Sequence, residues 1–316
     1  MDKQIIVMFS GQGSQYYQMG RELYENNKEF KYWMDYCDKK VFSLIQVSLV
    51  DILYRNNKKN EIFDRLLYTS PALLSIEYSL FKLLESMNIK PHLLMGYSLG
   101  EIIACVVNET ISLEDGIMLV INIAKLVEKN TAQASMLVIM SSKTILTEMA
   151  DIFRDVELIG VNFKENFVVC GYPDDIYTLQ QVLSKRNVIS QVLPIKYGFH
   201  TKMIDPIESE CKQLIRDIDI NKANIPLISS LNTKSIDKFD EHYFWNVIRY
   251  PVNFETAAEE VLEEGDYVFI DAGPSGTLAT FIKYLLPSNS NSISFQMINQ
   301  FGKDLNSIEK LKSYFS

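Results

Sequence analysis

The sequence predicts an α/β fold in two parts, a large part with a mostly parallel sheet and a small part inserted into it. Three observations carry this. From Gln4 to Lys129 short apolar runs alternate with helical patterns. Between Ala132 and Tyr197 the order becomes strand, helix, strand, strand, helix, strand, which is the ferredoxin-like pattern. Beyond Tyr197 the chain returns to helices around one further apolar strand. The expected division is 132–197 for the small domain, with 1–131 and 198–316 forming the large one.

The elements follow in order. Gln4–Phe9 is a continuous apolar run and reads as a buried strand, with helix expected from Tyr16 onward. Asn26–Arg65 is helical in pattern but charged, with a loop near Asn56–Asn60. Pro71–Met87 is apolar at helical spacing, and His92–Met95 is a short strand. Helices are expected over Glu101–Asn108 and Leu113–Lys129, the second capped by Ser112 with Asp115 three residues on. In the small domain the strands are Met136–Met140, Val156–Asn162, Phe167–Cys170 and Val188–Ile195, and the helices are Lys143–Phe153 and Pro173–Lys185. A last strand is expected at Tyr267–Ile270, before a Gly273-Pro274 turn.

Composition excludes several classes. The chain has 316 residues, 47% hydrophobic and 22% charged, as expected of a folded enzyme and not of a disordered chain. A net charge of −9 argues against nucleic acid as a partner, because such binding rests on neutralising phosphates. No apolar run approaches a membrane span, and the N-terminus lacks the long apolar core and cleavage site of a signal peptide. Cys37, Cys105, Cys170 and Cys211 form no CxxC pair and no metal spacing. A reduced cytoplasmic setting with no metal is expected.

The sharpest local signal is Gly96-Tyr97-Ser98-Leu99-Gly100, set between an apolar strand and a helix. There a G-x-S-x-G turn lifts a serine hydroxyl to the helix N-terminus, where free N–H groups favour developing negative charge. Ser98 needs a base, and the chain has three histidines. His92 lies on the strand leading into the turn, which carries it away from the hydroxyl, and His242 lies at a polar helix start. His200, ending Tyr197-Gly198-Phe199-His200, is the best candidate. Gly11-Gln12-Gly13-Ser14-Gln15 lacks the third glycine of a dinucleotide fingerprint, since Tyr16 stands there. The loop is either a plain turn or one that presents a backbone N–H to an oxyanion.

In this order, the Gly11–Gln15 loop, the Gly96–Gly100 turn followed by Glu101, and the histidine ending Tyr197–His200 resemble the malonyl-CoA:acyl carrier protein transacylases and the acyltransferase domains of polyketide synthases. Asp271-Ala272-Gly273-Pro274 and Tyr250-Pro251-Val252-Asn253-Phe254 extend the likeness over nearly the whole chain. The resemblance implies an α/β-hydrolase-like large domain with the small domain inserted. It implies Ser98 as acyl-bearing nucleophile, His200 as general base and then acid, and the N–H groups of Gln12 and Leu99 as oxyanion hole. It also implies that a main-chain carbonyl orients the histidine, at the position of Asn253. No cofactor is implied, since the acyl group arrives as a thioester of CoA or of carrier-protein phosphopantetheine, and the implied partner is an acyl carrier protein.

Two departures shape the expected substrate. Tyr97 stands where the family usually has histidine. Ile123 stands where malonyl-specific members place an arginine, and Leu119, Val120, Leu126 and Val127 on the same helix are apolar too. Lys125 and Lys129 project elsewhere. A malonyl carboxylate buried there without a partner costs about 2–5 kcal/mol, the loss typical of half a buried charge pair. The expected acyl pocket, with Tyr97, Ile123, Tyr197 and Phe199 as substrate-binding residues, therefore prefers uncharged groups. The leading reading is a stand-alone acyl hydrolase of polyketide assembly lines lacking integrated acyltransferases, which clears non-malonyl groups from carrier proteins. The alternatives are a transacylase, a common α/β-hydrolase esterase and a non-catalytic docking protein. The esterase reading expects a histidine near the C-terminus, and none follows His242.

Overall fold

A computed structural model describes residues 3–316. The first sheet has six strands in the order β11-β10-β1-β2-β7-β8: β1 Gln4–Phe9, β2 Leu93–Gly96, β7 Leu227–Ser229, β8 Ser235–Ile236, β10 Tyr267–Asp271 and β11 Ile293–Gln296. All pairings are parallel except β7 with β8. β1 lies in the middle, and Ile6 to Phe9 are fully buried, which is why the run has no polar alternation. The second sheet has the order β6-β3-β5-β4-β9. Its strands β3 Ser135–Met140, β4 Val156–Phe163, β5 Asn166–Gly171 and β6 Ile189–Val192 are mutually antiparallel, in the strand order of a ferredoxin-like unit. β9, Val252–Asn253, joins from the far part of the chain by pairing parallel with β4.

The helices cover both faces of the parallel sheet. They are α1 Arg21–Asn26, α2 Lys28–Ile45, α3 Leu49–Tyr54, α4 Leu66–Ser86, α5 Leu99–Val107 and α6 Leu113–Asn130 in the first stretch. The small sheet carries α7 Ile145–Glu148 and α8 Pro173–Lys185, and α9 Glu208–Arg216, α10 Glu241–Arg249, α11 Phe254–Glu264, α12 Thr277–Leu285 and α13 Asp304–Phe315 complete the chain. Ser112 caps α6 as its sequence position predicts, its hydroxyl accepting from the Asp115 N–H. Among the described residues no helix is long and apolar enough to cross a membrane.

Three local expectations shift. The helix expected from Tyr16 begins at Arg21, because Gln18 and Gly20 take left-handed backbone angles and turn the chain first. Lys143–Phe153 splits into the single turn of α7 and a 3-10 turn at Ala150–Phe153; no side chain caps either start. The last small-domain strand ends at Val192, since Pro194 has no N–H to continue the ladder.

Candidate active site

The elbow is built by strain and close approach. Ser98 has φ 55° and ψ −119°, outside the regions open to ordinary residues, and it caps α5. α5 crosses the end of β1 so closely that a Cβ on Gly100 would lie 2.0 Å from the Phe9 carbonyl oxygen. Gly11 faces the elbow in the same way: a Cβ there would lie 2.7 Å from the Tyr97 carbonyl and 3.1 Å from Ser98 Cβ. The first glycine loop and the serine turn are therefore pressed together. The N–H groups of Gln12 and Leu99 have no protein acceptor among the described residues, which leaves both available as oxyanion donors. The Gln12 side chain is held by α4, receiving a bond from Thr69 Oγ1 at 2.9 Å and donating to Ser70 Oγ at 2.8 Å.

Ser98 Oγ lies 2.8 Å from His200 Nε2. His200 Nδ1–H donates to the carbonyl of Tyr250 at 2.7 Å, leaving Nε2 as the acceptor for the serine proton. Burial pushes the His200 pKa down to about 4, and the Tyr250 carbonyl only partly offsets it. The imidazole is thus neutral through physiological pH, as a general base requires. The carbonyl position is a correction. Asn253 does not orient His200: its N–H donates to Ser230 O, and it closes β9 at the start of α11. The chain turns at Pro251 and pairs with β4 from Val252, so the last carbonyl free to face the histidine is that of Tyr250.

Two chambers meet at Gln12. The smaller, about 30 Å³, is lined by Ser98, Leu99, Ile123, Val120, Phe199 and Ile248, among others, with no charged side chain. Ile123 and Phe199 therefore lie where expected. The larger, about 210 Å³, runs from the Gly11–Ser14 loop to Val138 and Val168 of the small sheet and Phe281 of α12. Tyr97 stands in this one, its hydroxyl donating to Asn162 Oδ1 at 2.8 Å. Asn162 in turn donates to Asn166 Oδ1 at 2.6 Å. Tyr197 lines neither chamber, which corrects its expected role; it forms a bridge to Gln133 that closes the base of the small sheet.

The other two histidines stay out of the site: His92 Nδ1 accepts from the Ile5 N–H at 3.1 Å, and His242 is exposed. Sequence reasoning missed the Tyr250 carbonyl, Asn162 and Asn166. A carbonyl leaves no residue-type signal, and the two asparagines lie on a hairpin distant in sequence. Glu101, three residues after Ser98, is buried and accepts from Ser229, Ser230, Tyr243 and the Leu231 N–H, tying α5 to the end of β7.

This geometry belongs to a class of acyl-transferring α/β enzymes, and the comparisons with known proteins agree. Residues 6–315 match the family described as acyl transferase domain, and the chain belongs to that family and is an acyltransferase. It is 35% identical over 316 residues to the polyketide biosynthesis acyltransferase homolog PksD of Bacillus subtilis, covering 100% of this chain and 97% of that protein. The acyltransferase domain from the second module of the salinomycin polyketide synthase superimposes with a TM-score of 0.86 at 23% identity, over 98% of this chain and 72% of that one. The malonyl CoA-acyl carrier protein transacylase of Clostridium perfringens gives 0.81 at 23% identity, over 99% and 97%. These two likenesses establish the fold, an α/β-hydrolase-like core with a small domain.

Proposed function

We propose that the protein forms an acyl-enzyme on Ser98 and releases short uncharged acyl groups from carrier-protein thioesters by hydrolysis, in polyketide biosynthesis. The observation that carries this reading is the small chamber beside Ser98, which is lined by Ile123 and other apolar side chains with Gln12 and Ser70 and holds no charged group. It is the smaller of the two chambers, and it offers no cation to an acyl group seated beside Ser98. A malonyl carboxylate there would lose its hydration and gain no partner. The larger chamber, with Tyr97 and Asn162 at one end, suits the amide-rich arm that carries the thioester.

In the forward step His200 Nε2 takes the Ser98 proton as Oγ attacks the thioester carbonyl. The N–H groups of Gln12 and Leu99 receive the oxyanion, and the thiolate leaves with the proton from His200. Water, deprotonated by the same nitrogen, then attacks the acyl-Ser98 ester and frees the acid. The support for water as acceptor is indirect: an enzyme that loads extender units needs the carboxylate clamp that Ile123 replaces. The family match supports a second reading, in which a second thiol takes the uncharged acyl group.

The deciding experiment offers acetyl, propionyl, butyryl and malonyl carrier thioesters and follows both free acid and acyl transfer to a second carrier. Acetyl turnover to free acid supports the hydrolase. Transfer without free acid installs the transacylase, and a malonyl preference removes the uncharged-substrate reading altogether.

A further inference from the structure

Behind the Gly11–Gln15 loop four oxygens stand in a row. Glu77 Oε1 lies 2.5 Å from Ser10 Oγ, Ser10 Oγ lies 2.8 Å from Ser14 Oγ, and Ser14 Oγ lies 2.8 Å from the Gly11 carbonyl oxygen. Glu77 Oε2 accepts the Ser10 N–H at 3.0 Å. All these residues are buried.

Each of the three oxygen–oxygen contacts needs one hydrogen. The two hydroxyls carry one each, and the carbonyl carries none. If Ser14 donates to Gly11 and Ser10 to Glu77, two hydroxyl oxygens face each other at 2.8 Å with no hydrogen between them. If Ser14 turns to Ser10 instead, the buried Gly11 carbonyl loses this donor. The third proton has one source in the row, the Glu77 carboxyl. With Glu77 protonated, Oε1–H donates to Ser10, Ser10 to Ser14 and Ser14 to Gly11, while Oε2 accepts the Ser10 N–H. Every contact is then filled.

We propose that Glu77 is a buried neutral carboxylic acid that acts through Ser10 and Ser14 to aim the peptide unit bearing the Gln12 N–H, making it a positioning residue of the oxyanion hole. The Gly11 carbonyl and the Gln12 N–H belong to one planar trans peptide and point in opposite directions. Holding the oxygen from behind fixes the N–H on the Ser98 side. The proposal rests on Gln12 serving as an oxyanion donor.

The surroundings favour the neutral form. Burial raises the Glu77 pKa well above the usual carboxylate range, and the charge of Asp271 raises it further. Asp271, at the end of β10, accepts the N–H groups of Gly273 and Ala279 at 2.8 and 2.9 Å, a pattern suited to an ionised carboxylate. Glu101 gathers four donors, whereas Glu77 has one N–H and a share in one hydroxyl. α4 thus braces the loop at two levels, with Thr69 and Ser70 on the Gln12 side chain and Glu77 on the main chain behind it.

Glu77→Gln is the discriminating variant, because its amide N–H donates to Ser10 Oγ while its oxygen accepts the Ser10 N–H. The expected results at neutral pH are a protonated-carboxyl C=O band in the infrared spectrum of the natural protein that E77Q removes, and acetyl thioester turnover by E77Q close to natural. Ser14→Ala should lower kcat about tenfold or more with KM unchanged, part of the roughly 10²–10³ that a whole oxyanion donor supplies. Should E77Q not fold, Ser10→Ala serves in its place by shifting the frequency of the same band. Absence of the band, or E77Q as slow as S14A, overturns the proposal whatever Gln12 does. A neutral Glu77 with S14A at full speed overturns the positioning role and leaves the oxyanion assignment of Gln12, which acylation of Ser98 tests separately, standing.

Discussion

The two chambers that meet at Gln12 differ in how they are held. The small one is walled mainly by packed apolar side chains, Val120 and Ile123 of α6, Ile102 of α5, and Phe199 and Ile248, with the Gln12–Ser70 pair at one side. The large one is bounded by both sheets, and its polar end depends on a hydrogen-bond chain from Tyr97 across to Asn162 and Asn166. Under the proposed reading the first selects against charge, since no cation lines it to compensate a carboxylate. The second lies between the small sheet and the Gly11–Ser14 loop and α12, so under the proposed reading substitutions there should alter binding of the thioester arm more than the choice of acyl group. If Ser98 and His200 do the chemistry proposed, removing either should abolish turnover of every acyl group and, with it, the distinction.

The largest effect is therefore expected from Ser98→Ala. No labelled acyl group should be retained, while thermal unfolding stays near natural because the hydroxyl contributes little packing. Turnover surviving in S98A would refute the covalent route. His200→Ala should slow acylation by about 10²–10⁴-fold, the range typical of a lost general base. Its pH dependence follows from geometry. The neutral imidazole is the active form and its pKa is about 4, so acylation should stay level from neutral pH down to about 5 and fall below about 4. The same depression makes the folded state bind fewer protons than the unfolded state between about 6.5 and 4, so stability falls as pH falls through that window. An activity loss centred near pH 6.5 would place the histidine in a wetter site than the structure gives it.

The next effect separates the chambers. Natural protein should prefer acetyl over malonyl thioester by about 30- to 5,000-fold, the equivalent of roughly 2–5 kcal/mol for an unpartnered buried charge. Ile123→Arg should narrow that ratio without changing the KM contribution of the carrier arm. If the ratio is unmoved, Ile123 is only a core residue. The smallest effect belongs to the large chamber. Tyr97→Phe removes one neutral hydrogen bond, worth about 0.5–1.5 kcal/mol, and should raise KM several-fold for every acyl group alike. A change confined to one acyl group would show that Tyr97 belongs with the acyl pocket.

Much of this was legible in the chain. The parallel strands β1, β2 and β10 announced themselves as apolar runs because both of their faces are covered, whereas β7 and β11, short or half-exposed, gave no such run and were not expected. The elbow was legible because the tight turn demands glycine at Gly96 and Gly100, and His200 because the other two histidines sit just before the strand leading into the elbow and at a helix start, although His200 itself lies in a turn and not at a strand end. Glu77 left a fainter trace, a lone charge in the otherwise uncharged stretch Pro71–Phe81. The errors share one cause. Asn253 and Tyr197 were placed by distance along the chain, and a shift of a few residues in a loop moves a carbonyl or a ring to another face.

Sequence by itself determined which side chains could do chemistry here, since residue type, glycine placement and apolar period are local properties of the chain. It also determined that no cation stands on the Ile123 face of α6, because helical spacing fixes which residues share a face. Only the tertiary structure decided that the Tyr250 carbonyl meets His200, that two chambers join at Gln12, and that Glu77, Ser10 and Ser14 line up behind the loop. Those contacts depend on where one backbone passes another within a few tenths of an ångström. That spacing is set by the packing of α4 and α5 against β1, and no short stretch of sequence contains it.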